Sequence, residues 1–432
     1  MTKTYQKYLP LCAALSLLLP AQPGGAQTPT LLAPARTGAS AAQEMRGLWV
    51  VRDSLTSPAS IRHVVLLAKS HGFNALFVQV RGRGDAFYQS SLEPRAEELA
   101  GQPVSFDPLA EALRQGHAAG LQIHAWMNTC YVWGAGRRPA SALHVVNQHP
   151  GWLARDAHNH YLLKSGPECE GAFLTPANLD ARRHIHDVFL DVARRYDVDG
   201  IHFDYVRYPN AGYDYSESAL SRFRAEREPQ VSPGERAALA RRAAHDRLAW
   251  PHAYPAQWQE FRRRQVTEMV GEISQDIKAI KPWVIVSAAV FADSKDALNS
   301  RGQDWKTWLG RGYLDAVVPM AYGASTPQVA AQIADAVACA RAAGRYAYAG
   351  IGSWHIPVRS TVAKIAAART LGAQGAVLFS YGGITRDGTS DAYLNAVAAR
   401  CFRGAASLPT MAWVTPHPAS QEAAAERVRP GG

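Results

Sequence analysis

Several common functions need residues or patterns that this 432-residue chain lacks. It has only five cysteines, and no CxxC or HxxxH cluster that would spell a zinc site. No GxGxxG follows the first apolar run and no GxxxxGK(S/T) occurs, so neither a dinucleotide fold nor a P-loop is indicated. Acids are short, 36 against 46 Lys and Arg, which leaves a net charge of +10. A basic surface suits anionic surroundings such as cell-envelope polymers; the scattered arginines argue against nucleic acid. Most of this charge reads as solvated surface. Long apolar runs are also missing. Leu9 to Leu19 is too short for a membrane span of ~20 residues.

That short run has a different reading. Lys3 and Lys7 precede it and Gly24-Gly25-Ala26 ends the small residues behind it, as in a secretory signal peptide cleaved after Ala26. Cys12 lies inside the run, so no lipid anchor is expected. The expected location is secreted, periplasmic or envelope-bound, with no membrane insertion after cleavage. Export permits disulfides among Cys130, Cys169, Cys339 and Cys401. Cys130 and Cys169 share one long loop region, so a bridge there and free buried thiols both stay open.

Residues 27–43 and the tail 404–432 are rich in Ala and Pro and are expected to be disordered. Between them, 44–403 alternates strand and helix patterns. Eight apolar runs stand out: Arg46–Arg52, Ala75–Arg81, Leu121–Met127, Gly200–Asp204, Val284–Val290, Ala316–Met320, Tyr346–Ile351 and Ala376–Ser380. They are short and rich in Val, Ile, Phe or Ala, as buried parallel strands should be. Ala181–Tyr196 carries Ile185, Val188, Phe189 and Val192 at helical spacing. Asp107-Pro108 opens another helix, and Gly72, Gly120 and Gly372 stand where helices should stop. Eight βα units predict a (β/α)8 TIM barrel with long loops after strands three and four. Those loops, 129–178 and 207–255, are expected to wall a cleft.

Period-two alternation places His202 and Asp204 on one face of strand four, toward the barrel axis. A carboxylate there is costly unless paired or used. Other strand ends offer Arg46 and Trp49, Arg81 with Asp85 and Tyr88, His124 with Trp126 and Asn128, Met320 with Tyr322, and Tyr381. Beyond Asp204 come Tyr205, Arg207 and Tyr208. Aromatic platforms beside amides and charges suit sugar rings, though each aromatic alone is ordinary core filling. Glycosidic hydrolysis needs two carboxyl groups. Asp204 is the first candidate, as nucleophile or base; Asp85, Asp293 and Asp304 are candidates for the second. Asp304 reads equally well as the cap of a helix starting at Trp305. No cofactor or metal is expected; the partner is a polysaccharide, and the chain is expected to act as a monomer. A glycan-binding barrel without turnover is the other class of reading. A metal-dependent hydrolase would show an HxH pair early in the barrel, and strand three has one His.

The stretches "EMRGLWVVR", "FVQVRGRGDAFYQSSLEP", "FDPLAEAL", "GLQIHAWMN", "HPGWL", "YDVDGIHFDYVRYP", "WQEFRRRQV", "GQDWKTWL" and "DAVVPMAY" resemble the glycosyl-hydrolase-like 10 family. The likeness covers about Glu44 to Tyr381. It implies a secreted or envelope TIM-barrel hydrolase, and one member that acts at the bacterial division site implies cleavage of peptide-free peptidoglycan strands. Asp204 matches the family's Asp after strand four; Arg81, Asp85, His124, Trp126 and Asn128 match its cleft positions. Many members carry two successive acids there, where this chain has Tyr205. "DGIHFDYV" also resembles the strand-four motif of chitinase-like hydrolases, but their catalytic Glu would fall at about Val206.

Overall fold

The computed structural model describes residues 42–418 apart from Glu168. The expected signal peptide lies outside the described residues. Eight parallel strands close on themselves: β1 (Met45–Val50), β2 (Ala75–Arg81), β3 (Gln122–Asn128), β4 (Gly200–Asp204), β5 (Ile285–Phe291), β6 (Ala316–Ala321), β7 (Tyr346–Ala347 with Ala349–Gly352) and β8 (Gly375–Phe379). Each pairs with the next, and β8 returns to β1 through Gly375↔Met45 to Leu378↔Leu48. The expected (β/α)8 barrel is the observed one, with strand limits within one to two residues. The main helices between strands are α1 (Pro58–Ser70), α2 (Pro108–Ala118), α3 (Leu179–Arg195), α4 (Pro255–Ile280), α5 (Trp305–Gly310), α6 (Thr326–Ala342), α7 (Val358–Leu371) and α8 (Ala392–Cys401).

Local chemistry sets the helix ends. Asp107 accepts the Ala110 N–H and caps α2, with Pro108 in the first turn. Gly372 closes α7 at φ +85°, a conformation that suits a residue without a Cβ. Strand alternation then sorts side chains into two cores. Outward Phe203 stacks on Phe189 of α3, with ring centroids 4.7 Å apart. Inward, Trp49, Phe77, His124 and His202 pack as a layer across the barrel, Phe77 lying 4.5 Å from His124 and 4.9 Å from His202.

Two expectations need correction. Residues 404–418 are not a disordered tail. Ala406–Ser407 pairs in parallel with Ala42–Gln43, Met411 is buried, and Trp413 donates its indole N–H to Asp315. The strap gains order because it covers the apolar N-terminal mouth of the barrel. The region after β4 is not a cleft-walling loop either. It folds into helices Glu217–Arg227, Pro233–Ala243 and Ala249–Ala253, which share a small core of Phe223, Leu239, Trp250, Trp258 and Phe261. Of 207–255, only Arg207 lines the cavity described below. Cys130, Cys169, Cys339 and Cys401 are all free thiols, so no Cys130–Cys169 bridge is present.

Candidate active site

A cavity of about 440 Å³ opens at the C-terminal ends of the strands. Asp204, the last residue of β4, lines it and is 7% exposed. Its carboxylate accepts the Trp126 indole N–H at 3.0 Å on Oδ2 and the Tyr205 backbone N–H at 2.7 Å on Oδ1. The second bond needs Tyr205 in the left-handed region, φ +48°, which bulky residues adopt at a cost. Burial raises the Asp204 carboxyl to about 6, and these donors and Arg207 offset only part of that.

Asp53, Glu170 and Asp387 also line the cavity, and Glu170 is the one whose charge acts on Asp204. It sits at the end of a hairpin excursion from β3, where Tyr131–Trp133 pairs antiparallel with Ala172–Phe173. Gly171, next in the chain, holds φ +137°, and a Cβ there would run into the Trp133 carbonyl oxygen. Arg207 Nη2 donates to Glu170 Oε1 at 2.8 Å. Burial pushes the Glu170 carboxyl up, but Arg207 outweighs it and holds the group below the ordinary range. Glu170 is close enough for its charge to contribute to the upward shift of Asp204.

Aromatics form the rest of the wall. Tyr131 packs on Tyr205 at 4.9 Å. Trp354 meets Tyr322 edge-on at 5.1 Å and Phe379 at 5.3 Å. Trp49 and Trp126 both contact Phe379, at 5.8 and 6.1 Å. Such a surface offers flat apolar faces to sugar rings. Gln79 and Asn128 line the floor, with Gln79 Nε2 donating to Asn128 Oδ1 at 3.4 Å.

Of the residues singled out from sequence, Asp204, Trp49, Trp126, Asn128, Tyr205 and Arg207 line this cavity, as do Met320, Tyr322 and Tyr381. The remainder lie elsewhere. Asp293 caps the helix Ser294–Arg301 and Asp304 caps α5. Asp85 accepts the Arg83 backbone N–H and pairs with its guanidinium. Arg46 sits at the opposite barrel mouth on Glu44 and the Phe402 and Gly404 carbonyls. Arg81 is fully buried and forks onto Glu93. Tyr88 is buried, and Tyr208 donates to the Arg262 carbonyl. His124 and His202 lie in the layer beneath the cavity. Burial keeps His202 neutral, its Nε2 accepting from Trp49 at 3.2 Å and its Nδ1 facing Ser287 Oγ at 2.9 Å. Sequence reasoning missed Glu170, Tyr131, Trp354 and Phe379.

A closed parallel barrel whose strand C-termini surround a carboxyl-lined, aromatic-walled cavity defines a TIM-barrel glycoside hydrolase. The chain belongs to the glycosyl hydrolase-like 10 family, whose model matches residues 44–345. It is 26% identical over 328 residues to the glycosyl hydrolase DigH of Escherichia coli strain K12, covering 67% of this chain and 68% of that protein. It is 26% identical over 273 residues to the glycosyl hydrolase YngK of Bacillus subtilis strain 168, covering 58% of this chain and less than half, 46%, of YngK. In fold it is similar to the PgaB (BpsB) glycoside hydrolase domain of Bordetella bronchiseptica, with a TM-score of 0.60 at 16% identity over 85% of this chain and 100% of that one. Among the described residues no helix is long and apolar enough to cross a membrane.

Proposed function

We propose that this protein is exported and hydrolyses glycosidic bonds of an envelope polysaccharide, peptide-free peptidoglycan strands, with Asp204 and Glu170 as its carboxyl pair. One observation carries the reading. A buried carboxyl group that keeps its proton to about pH 6 shares a sugar-sized cavity with a carboxylate that an arginine keeps ionised. Two acids with separated protonation states are what glycoside hydrolysis requires. Asp204 then serves as the general acid that protonates the leaving oxygen. Glu170 serves as the anionic partner, attacking the anomeric carbon or activating water. This reverses the nucleophile-or-base role assigned to Asp204 from sequence and replaces Asp85, Asp293 and Asp304 as the second group. The substrate follows from the family resemblance, and export from the leader-like N-terminus.

The test uses sacculi with and without amidase treatment, incubated with wild type, Asp204→Asn and Glu170→Gln. Wild type should release glycan fragments from the amidase-treated material. Each variant should lose about 10²–10⁴-fold in rate. Equal release by wild type and Asp204→Asn would refute the acid role. Binding of wild type to glycan without any release would leave a carbohydrate-binding barrel.

A further inference from the structure

Arg207 occupies a position that the carboxyl pair alone does not explain. It is only 2% exposed, yet it lies in the wall of the cavity. Three structural elements hold it. Tyr205 at the β4 exit lies 4.6 Å from its guanidinium carbon, Phe291 at the end of β5 lies 5.0 Å away, and Phe173 of the hairpin lies 5.5 Å away. Nη1 donates to the Tyr208 and Pro209 carbonyls at 3.2 and 3.4 Å, which fixes the plane of the fork, and Nη2 reaches Glu170. Nε is buried and has no hydrogen-bond partner among the described residues. A fully desolvated guanidinium is therefore kept with one donor unmet and a single carboxylate partner. Such a site is expensive as mere scaffolding. Its geometry ties the excursion that carries Glu170 to the strand ends that carry Asp204.

We propose that Arg207 is a positioning residue for the hydrolysis: its clamped fork fixes Glu170 in the cavity wall as a carboxylate and leaves the proton of the pair on Asp204. This rests on the carboxyl-pair reading of the site. Arg301 also lowers the Glu170 carboxyl, and Arg52, Asp53, His63 and Asp387 are the other charged or titratable side chains in the cavity lining besides the tyrosines. Burial raises the Cys169 thiol and the Tyr205 and Tyr322 phenols above their ordinary values, so they stay protonated and none competes for the proton. Lysine cannot substitute. Its point charge would keep the sign but not the planar fork that three rings and two carbonyls define.

The experiment compares the pH dependence of kcat/KM for wild type, Arg207→Met and Arg207→Lys on amidase-treated sacculi, with thermal unfolding recorded for each. Removing the cation should raise both carboxyl groups, so both limbs of the Arg207→Met profile should move up by about 1–3 pH units. Arg207→Lys keeps the charge, so its limbs should stay near those of wild type. Its kcat should fall about 10²-fold, since a displacement near 1 Å has that effect. Unmoved limbs in a folded Arg207→Met would show a structural anchor only and overturn the proposal. If Arg207→Met does not fold, Arg207→Lys decides alone: wild-type kcat overturns the proposal, and a large loss with KM little changed sustains it. Failure of the underlying pair is separately visible, because Glu170→Gln would then keep wild-type activity.

Discussion

The buried Asp204 carboxyl, the proposed acid, comes at a cost in stability. The folded chain holds its proton to about pH 6, against an ordinary carboxyl value of 3.8. Between these values folding takes up a proton, so the native state is favoured at low pH and loses that advantage as pH rises through 6. Asparagine keeps the shape and removes the charge. Asp204→Asn should therefore be more stable than wild type at pH 8, by up to about 3 kcal/mol for a two-unit shift, with the difference shrinking toward zero near pH 4. Urea unfolding at the two pH values measures this, and equal differences at both would refute it. The same titration shapes catalysis. With Asp204 as acid, kcat/KM should fall on the alkaline side with an apparent midpoint near 6, and at low pH as Glu170 takes up its proton. Trp126→Phe removes a donor to the charged form, so its alkaline midpoint should move upward, by less than a unit, in the same assay. At this scale the sequence was legible in part. Period-two alternation correctly turned Asp204 inward, but Asp293 and Asp304 are acids of the same type that cap helices, and no local pattern separates a cap from a catalyst.

The element that brings Glu170 to the cavity is the excursion after β3. Where its two strands begin to separate, Gly171 packs against the Trp133 backbone, and Gly134 is confined as well, since a Cβ there would strike the Tyr131 hydroxyl and the Glu170 carbonyl. Gly171→Ala should lose about 1–3 kcal/mol of stability from backbone strain. It should also lose more than tenfold in kcat well below the melting temperature, because the adjoining Glu170 would move. Unchanged kcat with the expected loss of Tm would separate the hairpin from the chemistry. The helices after β4 behave differently. They look like a cleft wall by length, but pack on α4 through Trp258 and Phe261 and stay off the cavity. Length alone marked both segments as unusual; only their packing distinguishes the one that brings Glu170 to the cavity from the one that builds a satellite core.

Across the whole molecule, the barrel separates its two ends. The C-terminal face holds the cavity, and the N-terminal mouth is closed by residues 404–418. Trp413 packs against Tyr346 at 4.9 Å and beneath Arg345, and Tyr346 donates to the Thr410 carbonyl. Ending the chain after Arg403 should expose Met411's apolar site and lower stability by about 2–4 kcal/mol, on the scale of deleting one large buried side chain. Activity at low temperature should survive, since no cavity residue belongs to the strap. Denaturant melts with parallel assays would check both, and loss of activity without loss of stability would contradict the division. By itself the sequence determined the eight βα units, the helix caps and the inward face of β4, because backbone periodicity and capping are local properties carried by neighbouring residues. Only the tertiary structure decided that Glu170 and Arg207 meet beside Asp204, that Asp85 stays outside, and that a Pro- and Ala-rich tail becomes a plug. Those outcomes depend on closing long loops and burying remote surfaces together, and no short window of residues records that free energy.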